Sequence, residues 1–164
     1  MIHCRRSHIA NAAISLVDLV DPTHFVTVTL KQARTIISDG GSASWLRGDD
    51  IIYETAYDGF IRTLSKSIAS NGSWRRYKRI ISNAMTIEGG RQGERNHLHI
   101  VMRKPDHVSE DEFRSKIMGA AFGASWFMQG DNAINVQLLG ERSDQVSASI
   151  YSMKKGLDRF YIAG

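Results

Sequence analysis

The segment Phe25-Val26-Thr27-Val28-Thr29-Leu30 constrains the fold more than any other stretch of the chain. It is β-branched and alternates strictly between Val or Leu and Thr, the period-two signature of a half-buried strand. A chain that carries such a strand must build a sheet and lay apolar matter on it. The 164 residues suffice for one domain with a real core. Hydrophobic residues at 42% and charged residues at 23% describe an ordinary folding composition.

The remaining elements follow from periodicity and caps. Asp49 and Asp50 open a helix in which Ile52, Ala56, Phe60, Ile61, Leu64 and Ile68 recur at helical spacing, with Asn71-Gly72 closing it. A strand is expected from about Ile80 to Glu88 and another from His97 to Met102, joined by a Gly-rich hairpin connection over 88–96. Ser109 with Glu112 forms a capping box before a helix whose stripe is Phe113, Ile117, Met118 and Ala121. Residues 135–139 read as a short strand. Ser143 or Asp144 then caps a last helix, with Val146, Ile150 and Met153 toward the core and Gly156 at its end. Residues 38–44 read as a loop, and the segment before Pro22 as a helix or an edge strand. The class is α+β: a central, mainly antiparallel sheet flanked by helices, with two helices expected over one face. A single domain over 1–164, with its core at about 23–156, is the expected organisation.

His97-Leu98-His99 is the most informative tripeptide. On a strand its two imidazoles share a face while Leu98 points to the opposite layer. Two adjacent imidazoles are half of a metal site, and Glu88, across the hairpin connection, can supply the carboxylate. Glu94 is nearer in sequence but lies in the loop. The same residues also admit a plainer account: six histidines make a chance His-x-His common, and a glutamate at a strand end is ordinarily solvated. On the last helix Tyr151 and Lys154 share a face, with Ser147 on it and Lys155 one position further on. A cation beside a phenol favours phenolate, which suits a nucleophile. A half-buried tyrosine with a snorkelling lysine reads the same way in sequence.

Taken in order, these motifs resemble those of the HUH endonucleases, in particular the Rep class that starts rolling-circle replication. The strand Phe25–Leu30, the pair His97-Leu98-His99 and the run Tyr151-Ser152-Met153-Lys154 match that family's three motifs, and the resemblance runs from about Thr23 to Gly156. It implies the HUH (ferredoxin-like) nuclease fold, a divalent metal (Mn²⁺ or Mg²⁺) on Glu88, His97 and His99, and Tyr151 as a single nucleophile assisted by Lys154. It further implies single-stranded DNA or an origin hairpin as substrate, a covalent link to the 5′ phosphate, and a separate host helicase as partner. Tyr161 lies too far along to be a second nucleophile, and histidines preceding the tyrosine argue against the relaxase order.

Outside those motifs, Trp74-Arg75-Arg76-Tyr77-Lys78-Arg79 interleaves aromatics with cations, as a single-strand binding segment does; solvated charge at a strand entry gives the same pattern. Trp74, Arg75, Arg76, Lys78 and Arg79 are the candidate DNA contacts, and Arg91, Arg95, Arg103 and Lys104 could extend the track. The net charge of +4 is compatible with a polyanionic partner. Arg142 and Arg159 read as solubilising, Trp45 and Trp126 as core or rim, and His3, His8, His24 and His107 as surface. A lone cysteine, Cys4, supports no disulfide scaffold, no run approaches the roughly 18–20 apolar residues of a membrane span, and the N-terminus makes a poor signal peptide, so an intracellular (cytoplasmic) site is expected. No phosphate-loop motif and no Cys-x-x-Cys are present, so neither a fused helicase nor a zinc ribbon is expected. Two rival readings are a small single-tyrosine transposase of the same fold, which commonly pairs the tyrosine with Gln, and a non-catalytic nucleic-acid-binding module with a ferredoxin-like sheet.

Overall fold

The computed structural model describes residues 2–37, 41–69, 81–89, 94–130, 132–154 and 159–163. Its helices are α1 (Ile2–Val20), α2 (Asp50–Ile68), α3 (Glu110–Gly123) and α4 (Arg142–Met153). Its strands are β1 (His24–Thr29), β2 (Ala33–Ile37), β3 (Ala43–Arg47), β4 (Asn83–Glu88), β5 (His97–Met102), β6 (Ile134–Leu138) and β7 (Phe160–Ala163). Five strands form one antiparallel sheet in the order β6-β1-β5-β4-β7, and β2 pairs with β3 in a separate ribbon. The α+β class is therefore as expected. Among the described residues no helix is long and apolar enough to cross a membrane.

The alternation of β1 divides the sheet into two unlike faces. Val26, Val28 and Leu30 share one face with Leu98, Ile100 and Met102 of β5 and Met85 and Ile87 of β4, and this face packs on α2 and α3. Tyr53, Phe60 and Leu64 of α2 and Phe113 and Ile117 of α3 are buried against it, each fully buried large side chain contributing about 1.5–3 kcal/mol. Phe25, Thr27 and Thr29 lie on the other face with His97, His99 and Val101 of β5 and Ala84, Thr86 and Glu88 of β4. Only one end of that face is apolar: Ala84, Val101 and Phe25 pack on Ala13, Leu16 and Val20 of α1 and Met153 of α4. The layering expected from sequence is thus corrected. Among the described residues each face carries two helices, because the segment before Pro22 is helix α1, whose apolar side closes with α4 over the second face.

Local signals behave as physical chemistry requires, with instructive exceptions. The Asp49 side chain accepts from the Ile52 N–H at 2.8 Å, and Ser109 Oγ accepts from the Glu112 N–H at 3.2 Å. The last helix starts instead after Glu141, which makes no side-chain cap, and neither Ser143 nor Asp144 serves. Its buried side is Ser149, Ser152 and Met153, while Ile150 is exposed. Serine can be buried here because its hydroxyl returns to its own helix: Ser149 Oγ donates to the Gln145 carbonyl at 2.8 Å, and Ser152 Oγ to that of Ser149 at 2.8 Å. β7 and the β2–β3 ribbon are strands where sequence showed none. Asn71-Gly72, Ile80 and Gly156 lie outside the described residues.

One glycine fixes the geometry below. Gly89, immediately after Glu88, has φ +105, and a Cβ there would run into the Arg95 carbonyl. Gly89→Ala should therefore lower stability by about 1–3 kcal/mol in urea titrations. Gly59→Ala, on the exposed side of α2 with open space around it, should raise stability by about 0.5–1 kcal/mol. Equal effects at the two sites would contradict this geometry.

Candidate active site

β4 and β5 pair so that Glu88 stands opposite His97 and Thr86 opposite His99, with Thr29 and Thr27 of β1 opposite the same two histidines. The hairpin register expected from sequence is the one observed. The threonines of the alternating strand then meet the imidazoles: Thr27 Oγ1 lies 3.2 Å from Nδ1 of His99, and Thr29 Oγ1 lies 3.3 Å from Nδ1 of His97. With Nδ1 occupied, Nε2 is the atom each ring offers to a further partner. The two rings stack with centroids 6.4 Å apart.

Glu88 is the hub. One carboxylate oxygen is 2.6 Å from Nε2 of His99 and the other 3.2 Å from Nζ of Lys154. Lys154 Nζ stands over the Tyr151 ring, 3.7 Å from its centre. The Tyr151 ring meets His99 edge-on at 5.3 Å and Phe25 at 6.0 Å, while Phe25 stacks on His99 at 5.6 Å. Tyr151 is nonetheless 47% exposed, whereas His99 is only 4% exposed, so the phenol is open to a large substrate and the imidazole is walled in. Met153 on the buried side of α4 and the bond from Thr86 Oγ1 to the Ser152 carbonyl (2.8 Å) hold this end of the helix on the sheet.

Charge in the cluster is set by opposing forces. Burial works to raise the Glu88 carboxyl, but hydrogen bonds and charge from His99 and Lys154 outweigh it and hold it below the ordinary carboxylate range. Burial pushes the His99 imidazole below its usual value, only partly offset by Glu88. Burial also works to lower the Lys154 ammonium, and Tyr151 and Glu88 overcome that and raise it. At neutral pH the arrangement is carboxylate, neutral imidazole and ammonium.

Two imidazoles and a carboxylate suit a divalent transition metal with open positions. Among the described residues no three His, Cys, Asp or Glu side chains stand ready as a metal group. The bond between Glu88 and His99 joins two atoms that would both be ligands, so the donor types fit and Glu88 must turn from the imidazole to share a cation. Glu94, the sequence alternative, is exposed on the connection.

Other expectations fare differently. Trp74, Arg75, Arg76, Lys78 and Arg79, along with Arg91 and Lys155, lie outside the described residues. Arg103 and Lys104 sit beyond Met102, at the far end of β5 from His97, where Arg103 pairs with Asp21 and Asp106 and Lys104 binds the Val108 carbonyl at 2.7 Å. They do not extend a track beside the histidines. Arg159 is structural, tying β7 to Asp50 and to the Gly89 carbonyl. His24 is not surface: it is fully buried, with Nε2 at 2.6 Å from Glu110 and Nδ1 at 2.8 Å from Thr23. Its parity with Val26 and Val28 on β1 was the sequence signal for burial. Trp126 belongs to the core as expected, but Trp45 is neither core nor rim. Tyr161 packs on the α2 side of the sheet, away from the histidines, with its phenol pushed up to about 12 by its hydrogen bond to Glu54 and by burial. Phe25 and the two threonines are site residues that sequence reasoning left unassigned.

No family model, curated protein or solved structure matches the chain.

The electrostatics carry a test. Because burial lowers the folded-state value of His99 from 6.5, the unfolded chain binds more protons below that pH, and stability falls as pH drops through the window. In an imidazole NMR titration His99 should titrate below 6.5. Glu88→Gln should move it lower still, since the partner that favours the imidazolium is gone. A move upward would contradict the hub.

Proposed function

We propose that the chain is an HUH-type endonuclease of the Rep class, which nicks and rejoins single-stranded DNA to initiate rolling-circle replication. The observation that carries this reading is the meeting of three sequence-distant motifs in one cluster: the threonines of β1, the histidines of β5 with Glu88, and Tyr151 with Lys154 on α4. A merely structural Tyr-x-x-Lys has no reason to lean on the one buried histidine of a His-x-His pair. The exposure of Tyr151 beside the walled-in His99 supports a nucleophile that must reach a polymer.

In the reaction the Tyr151 oxygen attacks phosphorus, forming a phosphotyrosine bond as the bond from phosphorus to the 3′ oxygen breaks. The phenolic proton is balanced by the one the released 3′ hydroxyl gains. Lys154 sits where it stabilises the phenolate and the charge developing on the phosphate. Glu88 fixes that ammonium, and the two threonines hold the imidazole rings in orientation. A divalent cation held by Glu88, His97 and His99 would polarise the scissile phosphate. Rejoining reverses the step, with a 3′ hydroxyl attacking the phosphotyrosine.

On a labelled single strand carrying the recognised site, Tyr151→Phe should abolish nicking while leaving DNA affinity nearly unchanged, since only the nucleophilic oxygen is lost. Cleavage at the wild-type rate would place the nucleophile elsewhere.

A further inference from the structure

β2 and β3 form a two-stranded ribbon that branches from the end of β1. Thr35 pairs with Trp45, Ala33 with Arg47 and Ile37 with Ala43, so Trp45, Arg47 and Ile37 share one face. The opposite face carries Arg34, Ile36 and Leu46, and its Arg34 guanidinium stands 5.5 Å from the centre of the Trp126 ring. The first face turns to water: Trp45 is 79% exposed and Ile37 is 71% exposed. A two-stranded ribbon with an exposed aromatic is an aggregation hazard unless something uses it.

The charge of the ribbon selects among occupants. Lys31, Arg34 and Arg47 stand in the segment 31–47 against a single carboxylate, Asp39. Asp49 and Asp50 just beyond are committed to the α2 cap and to Arg159. On the tryptophan face itself the cation is Arg47, since Arg34 lies on the other face against Trp126 and Lys31 Nζ donates to the Ser125 carbonyl at 2.9 Å. A tryptophan beside an arginine suits a polyanion with π surfaces, because a base stacks on the ring while a phosphate meets the guanidinium. Position agrees. Thr29, whose hydroxyl touches His97, is followed by Ala33 after a span of at most about 14 Å, and Trp45 lies about 7 Å further along the ribbon. A footprint of roughly 4–16 nucleotides covers that distance.

We infer that the β2–β3 ribbon is a base-stacking platform for single-stranded DNA, with Trp45 against a base and Arg47 on a neighbouring phosphate, and that it holds the strand whose phosphate reaches Tyr151. This rests on the proposed nicking function and extends it to a contact surface outside the cluster.

The full chain carrying Tyr151→Phe, so that no strand is cut, is titrated into a labelled oligothymidine of about 15 nucleotides and followed by fluorescence anisotropy. Trp45→Ala should weaken binding about tenfold and Trp45→Phe should stay within about threefold of the parent, with thermal melts unchanged because the side chain is exposed. Arg47→Ala should reduce the salt slope by about one. Parent-like affinity of Trp45→Ala overturns the inference while leaving the nicking reading intact. No binding by the parent overturns the inference, and the Tyr151 nicking assay on the unmodified chain then judges the function separately. A parent that sediments as a dimer, broken by Trp45→Ala with no change in DNA affinity, also overturns it and makes the ribbon a contact between copies.

Discussion

A single carboxylate, Glu88, joins elements that lie far apart in the chain. It binds His99 of β5 with one oxygen and Lys154 at the end of α4 with the other. Burial works to raise its carboxyl; the imidazole and the ammonium outweigh that and hold it below the ordinary carboxylate range. That balance sets much else. A charged Glu88 draws Lys154 over the Tyr151 ring, and the walled-in His99 is kept neutral mainly by burial. Removing Lys154 would leave the partly buried Glu88 charge without its ammonium, which is more costly than the pair itself is stabilising. Glu88, His99 and Lys154 therefore act as a unit, and Tyr151 meets them through its ring, so that removing the phenol oxygen leaves their bonds in place.

The two faces of the sheet divide the labour. The α2–α3 side is a continuous apolar core from β1 through β5 and β4. The other side is closed by α1 and α4 only over Phe25, Ala84 and Val101, and beyond that apolar end the same strands present Thr27, Thr29, His97, His99 and Glu88. A strand of alternating valine and threonine serves both tasks at once. Its valines anchor the core, and its hydroxyls fix the imidazole rings from behind. The rigid core side is what lets a site built from short side chains keep its geometry.

Sequence revealed much of this because the informative residues obey strand periodicity. His97 and His99 had to share a face, and antiparallel pairing of the strands on either side of the Gly-rich segment brings Glu88 opposite His97 on that face. The histidine–threonine contacts were not legible, since they depend on which strand neighbours β5, and β1 is brought there from far earlier in the chain. The buried side of α4 was misread because serine is ordinarily a surface residue, and here its hydroxyl is satisfied within the helix. His24 was misread for the related reason that Glu110 and Thr23 satisfy an imidazole inside the protein. The β2–β3 ribbon escaped notice because it buries little and so lacks the apolar alternation that marks a strand.

The account stands most directly on the identity of the atom that attacks DNA. After reaction with a cleavable single strand, tryptic digestion and mass spectrometry of the protein–DNA adduct should find the nucleotide on the peptide that runs from Ser143 to Lys154, linked through a 5′ phosphate to Tyr151. A free 5′ phosphate with no adduct, or a link to Tyr161 on the opposite face of the sheet, would contradict it.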